Sequence, residues 1–429
     1  MKIIFSPPYV DEAVINEVVE TLKSGWITTG SKVKALEDEI RKFSAAKEVL
    51  CVNSWTSGAI MMLRWLGVKA GDEVIVPAYT YSATALAVMH AGAIPVMVDT
   101  CDDFNISLEA IRKAITPKTK AIIPVDIAGF PCDYDAIMSI ITEKKVLEMF
   151  QPDSLVQQIL GRILVLNDAA HSLGAFYKQN KRTGCETDVA IFSLHAVKNV
   201  TTAEGGAICL NLPEPFDNSL LYKQLRQMSL NCQTKDAFTK SNGGGWRYDI
   251  VDFGMKINMA DINAAIGLAQ MREYSALLIE RKRVFKAYDR SFGKYDWAIL
   301  PPSQDNGKES SYHIYAMRFK DISEQQRDDI IDEIVKQEVF VNVHFIPMPM
   351  LSFFKNLGYD IANYPQAYKN FACEISLPVY PQLTNEEVSF VIETVISAYE
   401  KIVLKKTVLT KRVAAFPAYS LMDKKNRQT

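Results

Sequence analysis

The sequence predicts an α/β protein: a mostly parallel central sheet flanked by helices, followed by a smaller C-terminal α+β domain. Three observations carry this. From about residue 48 to 210, short β-rich runs alternate with helical stretches. The runs VLCVNS, EVIVPA, IPVMVD, KAIIPVDIAG, ILVLNDAA, DVAIFSLH and GAICL are nearly continuous in apolar residues, as strands buried on both faces must be. A chain of 429 residues is also too long for one simple core.

The elements follow in order. Residues 1–270 form the large domain, within which EKKVLEMFQPDSLVQQILGR, near 143–162, reads as a helical insertion broken at Pro152. A long helix covering Met271 to Asp289 leaves the sheet. Residues 271–400 form the small domain, with YHIYAMRF and FVNVHFIP as strand candidates and NEEVSFVIETVISAYEK as a helix. From Lys401 onward, eight Lys/Arg stand against the single Asp423, which reads as a solvated helix end and basic tail over 401–429.

Composition narrows the function classes. Hydrophobic residues at 48%, charged residues at 23% and a net charge of -2 describe an ordinary globular protein with no electrostatic footprint for nucleic acid. No apolar run reaches the length of a membrane span, and MKIIFSPPYV is too short for a secretory h-region. The seven cysteines are scattered without a CxxC pair and the five histidines lack ligand spacing, so a disulfide framework and a metal site are not expected. A cytoplasmic protein with reduced thiols is the expectation.

The chemistry collects where the strands end, since ligands of open α/β sheets bind outside the carboxyl ends. Those ends present Thr56-Ser57, Tyr81, Asp168 with His171, and Ser193 with Lys198. The set offers a phosphate binder, an aromatic plate, a carboxylate, an imidazole, a hydroxyl and an amine. Asp168 ends an apolar strand, where an unpaired carboxylate is costly; a protonated pyridine nitrogen would offset that cost. Asp168 taken alone reads equally as the N-cap of AAHSLGA. Lys198 taken alone reads as a surface lysine at a strand end; near the Gly205-Gly206 pair it also reads as an amine whose pKa burial would lower, as covalent chemistry requires. Thr56-Ser57-Gly58 open a helix and would bind an anion or simply cap it. Tyr81 would stack on a flat ring or join the core. Gly243-Gly244-Gly245 reads as a loop, and Phe345-Ile346-Pro347 with the following PMPML as core and turn.

VNSWTSGA, GDEVIVPAYTYSATA, AITPKTKAIIPV, NDAAHSLGA, FSLHAVKNVTTAEGGA and NMADINAAIG resemble, in order and spacing, the sugar aminotransferases of the DegT/DnrJ/EryC1/StrS family. SGWITTG, residues 24–30, looks like the same family's opening, and the likeness runs from about residue 5 to 400. The resemblance implies a fold type I transferase, a homodimer with shared active sites, pyridoxal 5'-phosphate as cofactor and L-glutamate as amino donor. Carried over residue by residue, it makes Lys198 the covalent anchor of the cofactor and the proton shuttle. Asp168 would pair with the pyridine nitrogen, His171 would lie near the ring hydroxyl, and Tyr81 would stack where the family often has Phe or Trp. Thr56, Ser57 and Ser193 would bind the phosphate, with Asn258 reaching it from the partner subunit. Trp26, Thr28 and His344 would lie by the substrate. Asn167 departs from the pattern, standing where the family usually has Glu.

Within the family, His195-Ala196-Val197-Lys198 followed by Ala203-Glu204-Gly205-Gly206 looks like enzymes of 4-keto sugars; those of 3-keto sugars more often carry a Gly-Asp-Gly-Gly turn. WRYDIVDFGMKINMADI resembles surface-polysaccharide enzymes that make 4-amino-4,6-dideoxy sugars, often 2-acetamido. The implied acceptor is a nucleotide-linked 4-keto-6-deoxy sugar, with UDP-2-acetamido-4-keto-2,4,6-trideoxyhexose as one example. The alternatives are a 3-keto aminotransferase, a sugar dehydratase and a non-catalytic regulator. Relatives that dehydrate replace the anchoring lysine with histidine, and a regulator would lack Lys198, Asp168 or the phosphate hydroxyls.

Overall fold

A computed structural model describes residues 1–178, 181–235 and 247–404. The seven apolar runs all form strands: β1 (Glu48–Val52), β2 (Glu73–Pro77), β3 (Ile94–Val98), β4 (Thr119–Ile122), β5 (Leu164–Asp168), β8 (Val189–Ser193) and β9 (Gly206–Leu210). The two-residue strands β6 (Phe176–Tyr177) and β7 (Lys181–Arg182) fall between β5 and β8. The seven make one sheet in the order β1-β9-β8-β5-β4-β2-β3. Only β9 runs against the rest, pairing antiparallel with β1 and β8.

Alternation within each strand feeds a core on either face. Leu50 and Val52 of β1, with Val189 and Ile191 of β8, pack against the helix Trp55–Trp65 through Ala59 and Met62. Val49, Cys51, Ala190 and Phe192 face the other way, onto the helices Ser31–Ser44 and Asp261–Phe292. That two-sided burial is why these strands read as unbroken apolar runs.

The helix Asp261–Phe292 spans 32 residues and runs continuously through residue 270. Its first half packs on the large sheet. Its second half supplies Val284, Phe285, Tyr288 and Phe292 to a separate core. That core covers a three-stranded sheet of β10 (Ala298–Ile299), β13 (Tyr315–Phe319) and β14 (Glu374–Leu377). A small four-stranded sheet joins β6 and β7 to β11 (Gln304–Asp305) and β12 (Lys308–Glu309).

Two expectations need correction. FVNVHFIP is not a strand: Val339 bridges Ile3 and Asn342 bridges Ser376, and the chain between and beyond them is irregular. Its bend is held by the Tyr79 hydroxyl, which donates to the His344 carbonyl at 2.6 Å. The strand β14 was not anticipated. It spans only four residues, and its polar Glu374 and Ser376 alternate with the core-facing Ile375 and Leu377.

The insertion near 143–162 forms two short helices, Lys144–Met149 and Leu155–Leu160, on either side of Pro152. Ser154 and Gln157 donate to the Leu66 carbonyl, and the buried Lys120 ammonium pairs with Asp153 at 3.2 Å. The basic tail beyond residue 404 and Gly243-Gly244-Gly245 lie outside the described residues. Among the described residues, no helix is long and apolar enough to cross a membrane.

Candidate active site

A cavity of about 710 Å³ opens at the carboxyl edge of the large sheet. Five strand ends build it. Ser54 and Thr56 follow β1, Thr80, Tyr81 and Thr84 follow β2, and Val125 follows β4. Asp168 ends β5, with His171 in the turn beyond, and Ser193 ends β8, with Lys198 in the next turn. The far wall is Phe5, His313, Asn342, His344, Phe345 and Ile346.

Asp168 is buried at the back. Its carboxylate accepts from the Thr84 hydroxyl at 2.9 Å and from the Ala170 amide at 3.2 Å. No cation lies within 4 Å among the described residues. Burial therefore raises its pKa to about 7, against the opposing pull of Thr84, the Ala170 amide and Lys198. Burial lowers Lys198 to about 8, with Asp168 pulling the other way. An amine and a carboxyl face one cavity, each short of the partner that would keep it charged.

Three imidazoles line the same space. The Nδ1 of His171 accepts from the Ala128 amide at 3.2 Å, so the proton of this ring sits on Nε2. The His313 ring lies 4.6 Å from that of His171, and its Nδ1 is 2.8 Å from Asn199 Oδ1. Asn199 spends its amide group on the Ser311 carbonyl. Its oxygen therefore accepts, and His313 Nδ1 donates. Burial and the nearby Lys198 push His171 and His313 well below the usual histidine range, and His344 to about 3. All three are neutral rings.

Ser54 caps the helix Trp55–Trp65, accepting from the Ser57 amide at 3.1 Å, and its hydroxyl meets that of Ser57 at 2.8 Å. The first amides of that helix have no intrahelical acceptor and, with Thr56 and Ser193, can receive an anion. Gly206 makes the approach possible: a Cβ there would fall 2.7 Å from the Trp55 amide nitrogen.

The structure brings Thr56, Tyr81, Asp168, His171, Ser193, Lys198 and His344 around one cavity. Tyr81 is 63% exposed on its rim, with its ring 5.9 Å from Phe345. Ser57 stands one step behind, against Ser54. Trp26, Thr28 and Asn258 do not border the cavity. They gather instead around Asp261, whose carboxylate accepts from the amides of Gly30, Lys32 and Val33. Asn258 Nδ2 donates to Thr29 Oγ1 at 2.6 Å there.

Sequence reasoning missed Thr84 and His313, and treated Phe345 and Ile346 as core and turn although both face the cavity. Thr84 was within reach of it, one turn beyond Tyr81. His313 arrives from a distant segment that no local spacing marks. The departure at Asn167 is accounted for by Asp126. Asn167 Nδ2 donates to the buried Asp126 carboxylate at 2.9 Å, where a second carboxylate would meet unscreened repulsion.

A buried amine, a buried carboxyl awaiting a cation and an anion cradle together fit pyridoxal phosphate. Fold and site define the class as a pyridoxal-phosphate-dependent transferase. The sequence profile of the DegT/DnrJ/EryC1/StrS aminotransferase family matches residues 8–152 and 156–396. The chain is 33% identical to the spore coat polysaccharide biosynthesis protein SpsC of Bacillus subtilis, over 91% of this chain and 95% of that protein. It is 36% identical to the uncharacterized protein MJ1066 of Methanocaldococcus jannaschii, over 91% and 97%. Among solved structures it resembles the PLP form of Spr1654 from Streptococcus pneumoniae, a provisionally assigned sugar aminotransferase. The TM-score is 0.89 at 42% identity, covering 94% of this chain and all of that one. The chain belongs to the DegT/DnrJ/EryC1/StrS family and is a pyridoxal-phosphate-dependent sugar aminotransferase.

Proposed function

We propose that the chain transfers an amino group from L-glutamate to a nucleotide-linked 4-keto-6-deoxy sugar, in the cytoplasm, for surface polysaccharide biosynthesis. The observation that carries the chemistry is the buried Lys198 amine sharing one cavity with the buried Asp168 carboxyl. The polysaccharide setting is supported by SpsC, and the aminotransferase role by PseC of Helicobacter pylori, an aminotransferase involved in pseudoaminic acid biosynthesis. PseC is 25% identical over 94% of this chain and all of its own, with a TM-score of 0.82.

Pyridoxal phosphate, when bound, supplies the carbonyl that carries nitrogen between donor and acceptor and the ring that withdraws electrons from the reacting carbon. Asp168 would hold the pyridine nitrogen in its protonated form, and that cation would keep the carboxylate ionised against burial. Thr56, Ser193 and the helix amides beyond Ser54 would bind the phosphate, with Ser57 supporting Ser54. His171 would present Nε2–H to the ring hydroxyl. Lys198 Nζ, its pKa lowered by burial to about 8, would take the proton from the α-carbon of the donor and later return one to C4 of the sugar.

Asn258, Trp26 and Thr28 are served by a second copy of the chain, whose 24–30 and 256–261 segments would close over the exposed Tyr81 and complete the site. A homodimer with shared active sites is the assembly this reading requires.

The test is absorbance of the purified protein loaded with pyridoxal phosphate. The visible band should fade with L-glutamate and return when a UDP-linked 4-keto sugar is added. NMR of the product then separates C4 from C3 amination; a C3 amine would install the 3-keto reading. If no protein-bound band ever forms, the enzyme reading fails at Lys198.

A further inference from the structure

Ser311 knits three turns of the cavity together. Its amide donates to the Gly129 carbonyl at 3.0 Å, its hydroxyl donates to the His171 carbonyl, and its own carbonyl accepts from Asn199 Nδ2 at 2.9 Å. Asn199 follows Lys198 directly and is buried. Its NH₂ group is fixed by two oxygens that can only accept. One is the Ser311 carbonyl; the other is the Tyr274 hydroxyl, which spends its proton on the Leu173 carbonyl. Asn199 Oδ1 is therefore the atom that meets His313 Nδ1 at 2.8 Å, and the imidazole proton must sit on Nδ1. No titrating carboxyl enters this chain of donors. His313 Nε2 is left as a lone pair, on a ring that is 7% exposed and lines the cavity.

Lys198 is the one lysine or arginine among the described residues that line the cavity, and among those residues its Nζ makes no hydrogen bond. An amine without an acceptor and an imidazole without a donor thus share one space, and the lysine stem is flexible enough to join them. We propose that His313 is a positioning residue for Lys198: Asn199 and Ser311 hold its proton on Nδ1, so that Nε2 accepts a hydrogen bond from Lys198 Nζ whenever the amine is free. His171 cannot take that part, because its Nε2 carries the proton. The use of the contact, aiming the amine at the reacting carbon, rests on the aminotransferase reading; the contact itself does not. The titratable groups facing His313 are His171, Lys198, Arg281 and His344, and those facing Lys198 are Asp168 and the three imidazoles.

The experiment is NMR of the full-length, cofactor-free protein. Imidazole ¹⁵N signals report the tautomers and a lysine ¹³Cε titration reports Lys198, each assigned by its loss in His313→Gln or Lys198→Ala. The wild type should show His313 protonated on Nδ1 and His171 on Nε2. A hydrogen bond to the ammonium favours the charged amine, so His313→Leu should lower the Lys198 midpoint, about 8, by about one pH unit. His313→Gln keeps an acceptor oxygen at the far end of its side chain and should hold the midpoint near the wild-type value. A space-filling role for His313 would treat Leu and Gln alike. Asn199→Ala should spread the His313 proton over both nitrogens and lower the same midpoint in part. A wild-type proton on His313 Nε2 overturns the proposal without needing any variant to fold. An unmoved Lys198 midpoint in folded His313→Leu overturns the contact. Neither readout needs turnover: if no visible band forms with pyridoxal phosphate, the enzyme reading falls alone, and the tautomer and the Lys198 midpoint still decide the contact.

Discussion

The cavity at the sheet edge and the cluster around Asp261 contrast in how completely each is finished within one chain. Around the cavity, Asp168, His171 and His313 are buried and Lys198 and His344 partly so, yet the rim residue Tyr81 stays 63% exposed. Around Asp261 nearly the reverse holds. Its carboxylate is filled by three amides and Asn258 is engaged by Thr29, but none of these groups borders the cavity. One region has chemistry without a lid; the other has an ordered polar edge without chemistry. The lesson is that buried charge can be arranged by strand ends alone, whereas closing a site over a large substrate calls for a second surface.

The largest effect should break the first region. Lys198→Ala is expected to lower turnover by at least about 10³-fold while leaving the circular dichroism spectrum intact; near-normal activity would remove Lys198 from the mechanism. Asp168→Asn should cost about 10- to 100-fold in turnover, the worth of one charge-assisted bond. The same change should raise the melting temperature of the cofactor-free protein at pH 8. The folded-state pKa of Asp168, about 7, lies above its ordinary value, so its contribution to stability is lost as pH rises through that value, and the amide avoids the loss. A lower melting temperature would show that the carboxylate is compensated even without cofactor.

The amine gives a pH signature. Capture of pyridoxal phosphate by the empty protein, followed by absorbance, should quicken about tenfold per pH unit below 8 and level off above it. Because Lys198 titrates below its ordinary value, the unfolded chain binds more protons between about 8 and 10.4, and this group makes stability rise with pH across that window. A capture rate still climbing at pH 10 would mean that Lys198 is solvated.

Joining the two regions is a matter for mixing. Asn258→Asp should weaken cofactor binding about tenfold by placing like charge near a phosphate. Mixed equally with Lys198→Ala protein at limiting cofactor, it should recover about a quarter of wild-type activity. In a two-fold dimer with shared sites, half the molecules are hybrids and each hybrid holds one intact site. No recovery after verified subunit exchange would place both residues in the same copy's site. The smallest effect concerns Ala203, whose φ of +65° lies in the left-handed region. Ala203→Gly should gain up to about 1 kcal/mol in urea unfolding, and a loss would mean that the methyl group is packed.

Much of the large sheet could be read before any coordinates. Each of its seven strands is a short apolar run, because every one is covered on both faces. Strand ends then pointed to Asp168, Ser193 and Lys198. Less was legible in the C-terminal third. FVNVHFIP has the composition of a strand but bends to carry His344 and Phe345 into the cavity, and β14 hides behind two polar residues.

By itself, the sequence determined what depends on local order: the α/β class, the strand runs, the insertion broken at Pro152, and the amine and carboxylate at strand ends. Burial on two faces writes itself into composition, and strand ends follow from where each run stops. Tertiary structure alone decided the rest. It set His313 beside His171, stood Glu374 and Ser376 behind His344, and turned β9 against its neighbours. Those relations join residues far apart in the chain through donors, acceptors and excluded water, and no periodicity in the sequence records which of them will meet.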